Sequence, residues 1–145
     1  MRACVCPLPD CGQHNGPSAD RCSRCGADLR PLQALNRMAD RAFNRGVAAV
    51  RREDWQAALT AFDTALALRP DDLTARKAAA ACRSHLGNVT DSLRRWRDLL
   101  DDHPDDEQAQ RIIATLDAAI APDPEARSEI LLLLEMPPIE PDHRQ

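Results

Sequence analysis

The sequence predicts a mainly α-helical protein in which a small cysteine-rich module precedes a solenoid of about three helical hairpins. The first observation is a period of 34 residues, marked by Pro70, Pro104 and Pro138. A fixed period in this range is typical of stacked helical hairpins, each burying its apolar face against its neighbours. The second observation is that five of the six cysteines fall within the first 25 residues, before helical spacing begins.

The composition suits closely packed helices. Of the 145 residues, 43% are apolar but only 3% are aromatic, whereas sheets favour β-branched and aromatic residues. The formal charge is -4, divided into about +2 for residues 1–37 and about -6 for residues 38–145, which argues against nucleic-acid binding along the solenoid. The chain starts without the apolar stretch of a signal peptide and has no run near the ~18 apolar residues that span a bilayer. We therefore expect a cytoplasmic protein that does not insert into membranes.

The N-terminal residues 1–30 are rich in Cys, Pro, Gly and Asp and show almost no apolar periodicity. Such a segment buries too little surface to order itself, so it needs a covalent or metal staple. Residues 31–37, with Pro31 near their start, are predicted to be a connector between this module and the helices.

Helical spacing begins near Met38, and the prolines and acidic pairs divide it. A proline disfavours helix at the preceding residue, and the Asp-Asp pairs that follow Pro70 and Pro104 are suited to cap the next helix. The predicted helices cover residues 35–51, 55–68, 73–86, 91–100, 107–120 and 125–135. The proline-rich tail at 137–145 cannot continue a helix.

Spacing within the first hairpin carries a family resemblance. Residues 39–72 hold small residues at positions 8, 20 and 27, an aromatic residue at position 24 and a proline at position 32, namely Gly46, Ala58, Ala65, Phe62 and Pro70. The chain resembles the tetratricopeptide repeat family over residues 38–136, as repeats 39–72, 73–106 and 107–136, of which the third is degenerate. It departs from the family pattern at Arg45, Arg76 and Arg83. The resemblance implies a helical solenoid that binds other proteins.

The cysteines in the first module have the spacing of a metal site. Two close pairs can surround one tetrahedral ion, and a glycine follows each pair, which allows a tight backbone turn. We predict one structural zinc ion per chain, bound by Cys6, Cys11, Cys22 and Cys25. The pattern resembles the small zinc ribbons of bacterial regulatory and scaffold proteins. Cys4 and His14 remain alternative ligands, and redox-active thiols without metal are the alternative chemistry.

The family resemblance also implies a binding groove, lined by the first helix of each hairpin. Carried onto this sequence, the groove has an apolar floor at one end and a basic edge, and its candidate residues are Phe43, Val47, Arg51, Lys77, His85 and Arg111. A partner segment with a hydrophobic anchor and acidic flanks, or a C-terminal carboxylate, suits these residues. The alternative is that these charges form an ordinary solvated helix face.

The last predicted hairpin contains five consecutive apolar residues at 130–134. On a helix they point around most of the circumference, so one neighbouring hairpin cannot cover them all. We expect Leu131 and Leu134 to form an interface with a partner or with a second copy of the chain. The alternative is that the proline-rich tail folds back over them.

These features together predict a non-enzymatic adaptor or scaffold, because the sequence shows no catalytic constellation or phosphate-binding loop. One alternative is a regulatory protein whose basic zinc ribbon contacts nucleic acid, although residues 1–37 contain no aromatic side chain on which bases could stack. A second alternative is a sensor that releases zinc when its thiols are oxidised.

Overall fold

The computed structural model describes residues 3–120 and is mainly α-helical, as the sequence predicts. A two-stranded antiparallel sheet precedes five helices: β1 (Cys4–Val5), β2 (His14–Asn15), α1 (Arg30–Val50), α2 (Trp55–Leu68), α3 (Leu73–His85), α4 (Val89–Asp102) and α5 (Glu107–Ile120). Each helix packs against the next one along the chain, which is the arrangement of a helical solenoid. Within residues 3–120, no helix combines the length and the apolar character that crossing a membrane requires.

Acidic caps and prolines set the helix boundaries. The side chains of Asp54, Asp72 and Asp106 accept hydrogen bonds from backbone amides three residues later, at 3.0, 3.2 and 2.9 Å. Helices α2 and α4 end two residues before Pro70 and Pro104. The capping predicted for the acidic pairs is therefore confirmed. The predicted helix at 125–135, the tail and the candidate interface at Leu131 and Leu134 lie outside the described residues and stay predictions.

Helix α1 begins earlier than the sequence predicts. Residues 31–37, predicted to be a connector, form the first turns of α1, because Pro31 lies in the first turn, where its fixed φ favours helix and its missing N–H is not needed. The preceding Leu29 is fully buried with the cysteines, and Leu32 of α1 packs against the same cluster. The cysteine-rich module at residues 3–29, called the ribbon below, thus continues directly into α1.

The first hairpin is packed around an aromatic pair. The rings of Phe43 on α1 and Phe62 on α2 lie 5.3 Å apart at an interplanar angle of 56°. Gly46 lies against the Phe62 ring so closely that an added Cβ would stand 2.5 Å from it. The small residue and the aromatic residue that carry the family resemblance are therefore complementary parts of one contact.

The arginines that depart from the repeat pattern in the second hairpin form ion pairs between helices. Arg76 pairs with Asp102 at 2.7 Å, and Arg83 pairs with Asp63 on α2 and Asp91 on α4 at 3.3 and 2.8 Å. Polar contacts therefore replace the apolar packing that the pattern expects at these two positions. The second core lies beside them, around the fully buried Trp96 and Leu116.

Candidate functional site

The four predicted ligand cysteines meet in one cluster. The Sγ atoms of Cys6, Cys11, Cys22 and Cys25 all lie within 4.8 Å of one another. The Sγ atoms of Cys6 and Cys25 are 3.6 Å apart, and those of Cys11 and Cys22 are also 3.6 Å apart. A tetrahedral zinc ion with Zn–S bonds of about 2.3 Å requires sulfurs about 3.8 Å apart. Four thiols at this spacing fit a closed, structural zinc site.

Two backbone turns bring the thiols together. In the first, the amide of Cys11 donates to the Leu8 carbonyl at 3.0 Å, and Gly12 follows with φ of 57°. In the second, the amide of Gly26 donates to the Cys22 carbonyl at 2.9 Å, with φ of 74° at Gly26. A residue with a side chain adopts this left-handed backbone at a cost, which explains the glycine after each cysteine pair.

Backbone amides also point at the sulfur atoms. The amide of Cys25, together with that of Arg24, lowers the pKa of the Cys22 thiol to about 6. The amide of Leu8 lowers the pKa of the Cys6 thiol, but burial and the neighbouring thiols outweigh it and raise that pKa to about 12. Crowded sulfurs of this kind oppose ionisation of one another, and a divalent cation among them would stabilise all of them as thiolates.

Asn15 supports the cluster, although no sequence pattern points to it. Its side chain is buried, and Nδ2 approaches Cys22 Sγ at 3.6 Å. Its Oδ1 accepts hydrogen bonds from the Ser23 backbone amide at 2.8 Å and from the Ser23 hydroxyl at 3.1 Å. Asn15 therefore joins β2 to the second cysteine turn. A lone asparagine at this spacing carries no sequence signal, because the contact exists only after the ribbon folds.

Cys4 and His14 lie outside the four-sulfur cluster. Cys4 is buried in β1, where its carbonyl is 3.4 Å from Asn15 Nδ2. His14 pairs with Val5 across the small sheet and its side chain is exposed. In the described part of the chain, the cysteine quartet is the one group of His, Cys, Asp and Glu side chains with metal-binding spacing.

One candidate groove residue is not on the surface. Phe43 is fully buried against Phe62, so it belongs to the core of the first hairpin. Its assignment to the groove is corrected for this reason: the α1 face that carries Phe43 is covered by α2. Val47 lies at the edge of the same core and stays partly accessible.

The basic candidates on α3 already have contacts within the chain. Lys77 is half-buried, forms an ion pair with Asp106, and donates to Gln108 Oε1 at 3.1 Å. The His85 ring stacks on Trp55 with centroids 3.9 Å apart and an interplanar angle of 10°. Burial in this contact lowers the pKa of His85, while the charge of Glu53 acts in the opposite direction.

The arginine candidates are accessible. Arg51, immediately after α1, is exposed. Arg111 on α5 is exposed as well, and its Nε donates to the Glu107 carbonyl one turn earlier at 3.2 Å. Most of the positive charge that the predicted groove can offer a partner therefore comes from these two side chains.

Comparison with known proteins identifies the helical part. Residues 49–116 match the family described as Tetratricopeptide repeat. This segment runs from the end of α1 into α5 and includes the whole of α2, α3 and α4, which pack one against the next. Searches against curated proteins and against solved structures find no match to the chain. Repeats of this family generally mediate protein–protein interaction and are typically non-enzymatic. Over residues 49–116 the chain is therefore similar to the tetratricopeptide repeat family.

Proposed function

We propose that this protein is a non-enzymatic cytoplasmic adaptor. The repeat region binds a segment of a partner protein, and a zinc ion stabilises the fold of the ribbon. The observation that carries the proposal is the repeat match over residues 49–116, on helices that stack as the family requires. Stacked hairpins of this kind present an extended surface rather than an enclosed pocket.

The partner segment contacts the face formed by α1, α3 and α5, called the concave face below. Val47 supplies an apolar contact, while Arg51 and Arg111 supply exposed charge toward the two ends. His85 and Trp55 place a flat aromatic stack between them. Because Lys77 is neutralised by Asp106, the face attracts acidic groups at its ends more strongly than at its centre.

The zinc ion has a structural role in this proposal. All four ligand positions are cysteine sulfurs, and a closed site leaves no position for a reacting water. The arginines of the ribbon contact the ribbon itself: Arg21 and Arg24 donate to the carbonyls of Gly26 and Cys11 at 3.2 and 2.9 Å. These contacts stabilise the turns around the cysteines, which favours a structural ribbon over a phosphate-binding one.

The zinc assignment is tested by metal analysis of the chain purified without added metal. We expect one zinc per chain, loss of zinc in Cys25→Ser, and normal zinc in the control Cys82→Ser, because Cys82 is buried on α3 outside the ribbon. Full zinc content in Cys25→Ser would contradict the assignment.

The concave face is tested with peptides selected by phage display against the zinc-loaded full chain. The double variant Arg51→Gln with Arg111→Gln should bind them several-fold more weakly, since each exposed charge pair contributes about 0.2–1 kcal/mol. A matched control, Arg94→Gln with Arg97→Gln, removes the same charge from α4, where these arginines pair with Asp91 and Asp117. Equal binding by all three proteins would place the partner on another surface.

A further inference from the structure

Helix α1 carries positive charge on a side that the proposed function does not use. Arg37, Arg41 and Arg45 follow one another at intervals of four residues and are exposed, and Arg52 follows in the turn after α1. These four residues are called the arginine face below. At 3.6 residues per turn, the three arginines on α1 lie about 130° around the helix axis from its concave-face positions. The arginine face is therefore a separate surface.

The arginine face is not neutralised within the described residues. Across residues 3–120, none of its four side chains has a carboxylate within 4.0 Å. Arginines in the later helices behave differently: Arg76, Arg83 and Arg97 all pair with aspartates on another helix. Like charges four residues apart on a helix repel one another and destabilise it. The arrangement thus opposes folding slightly, and an external anion would remove the repulsion.

A groove adjoins the arginine face. It lies between α1 and α2, has a volume of about 660 Å³, and is flanked by Arg45 and Arg52. Its remaining lining is small or polar: Ala48, Ala49, Asp54, Gln56, Ala57, Thr60, Ala61 and Thr64. Methyl groups form its floor, so a polypeptide backbone can approach closely while acidic side chains reach the two guanidinium groups.

The groove favours a protein segment over nucleic acid. The two Phe and two Trp side chains of the chain do not line it, so bases would find no stacking partner there. An acidic peptide needs no such partner.

The acidic segment comes from another protein rather than from a second copy of this chain. Residues 1–52 contain nine Arg and four Asp, giving +5, whereas residues 53–145 contain ten Lys or Arg and 19 acids, giving -9. Six of the 13 acids at 53–120 are paired with the chain's own cations: Asp63, Asp72, Asp91, Asp102, Asp106 and Asp117. These six are less available to the arginine face of a second copy.

We propose that the arginine face and the adjoining α1–α2 groove form a second docking surface, which binds an acidic segment of a partner protein. An adaptor with this surface and the concave face holds two segments at once. The two surfaces share no residue. The proposal for one surface can therefore be disproved while the proposal for the other stands.

The test measures binding of a dye-labelled poly-glutamate peptide to the zinc-loaded full chain by fluorescence anisotropy. The double variant Arg45→Gln with Arg52→Gln should bind about three- to tenfold more weakly, as expected for two exposed charge pairs. The double Arg94→Gln with Arg97→Gln on α4 removes the same charge and should stay within about twofold of the unmodified chain.

Thermal unfolding shows whether the variants are folded. Arg45→Gln with Arg52→Gln should melt no lower than the unmodified chain, because it removes repulsion without opening the core. Equal losses in both doubles, or no binding by the unmodified chain, would overturn the proposal. It would also be overturned if poly-thymidine DNA displaced the peptide more effectively than unlabelled poly-glutamate, or if the chain self-associated through this face.

Discussion

Gln33 of α1 donates from its side-chain Nε2 to the Ala19 carbonyl oxygen of the ribbon, at 2.6 Å. The glutamine is buried at this junction, beside Leu29 and Leu32. The bond is partly buried, and leaving a buried carbonyl without its donor lowers stability by up to about 1–3 kcal/mol. The contact therefore couples the order of the ribbon to the first turns of α1.

The Gln33–Ala19 bond predicts a local effect of Gln33→Ala. Amide exchange should accelerate in the ribbon and in the first turns of α1, while α3 to α5 keep the protection of the unmodified chain. Hydrogen exchange with mass spectrometry measures this, and Gln56→Ala on the exposed side of α2 is the control. A change spread evenly over the whole chain, or confined to α1, would show that the two parts are not coupled through this bond.

Asn15→Ala should weaken zinc binding about 10- to 100-fold, the usual effect of removing a residue that orients metal ligands. The variant loses the approach of Nδ2 to Cys22 Sγ and the two bonds from Ser23. Competition with a chromogenic chelator gives the affinity. His14→Ala changes the neighbouring exposed residue and should leave the affinity unchanged. If the two variants bind zinc equally well, Asn15 does not support the site.

Gly46→Ala should destabilise the first hairpin. The new Cβ would meet the Phe62 ring at 2.5–2.8 Å, and overpacking of this kind costs about 1–3 kcal/mol. The gain in helix propensity, up to about 1 kcal/mol, offsets only part of it. Urea unfolding measures the difference. Gly16→Ala adds the same methyl group where nothing lies within 4 Å and should be close to neutral. A more stable Gly46→Ala protein would show that the ring moves freely.

The Trp55–His85 stack predicts a pH dependence. Because burial holds the pKa of His85 below its unfolded value of 6.5, the folded state binds a proton less readily than the unfolded chain. The contribution of His85 to stability is therefore complete above about pH 6.5 and declines as the pH falls toward the folded pKa. Urea midpoints measured on both sides of that pH should show the decline, and His85→Gln should reduce it. An unchanged profile in His85→Gln would assign the pH dependence to other groups.

Local signals predicted the helices well. The start of α5 follows from Asp106 as its cap and the end of α2 from the proline after it, both of which are properties of neighbouring residues. Pro31 led to the wrong prediction of a connector, because its neighbours alone do not decide its structure. A proline fits both a connector and a first helical turn, and the choice depended on burial of Leu29 and Leu32 in the ribbon, which is a tertiary effect.

Contacts between distant residues explain what the sequence could not predict at the candidate site. The cysteine quartet was predictable because its spacing is itself the signal, and the four sulfurs do cluster. Phe43 was assigned to the groove from its repeat position, yet its burial depends on Phe62 on the next helix. The ion pair of Lys77 likewise depends on Asp106, 29 residues later, which no helical periodicity reveals.

The junction between the ribbon and α1 gives the array a direction. Each described helix packs chiefly against its sequence neighbours, so opening spreads from one interface to the next, as in a one-dimensional stack. At the α1 side, Leu29 and Gln33 tie the outermost helix to the ribbon. Loss of order in the ribbon will therefore reach α1 first, and it can affect α2 and the later helices chiefly through that helix.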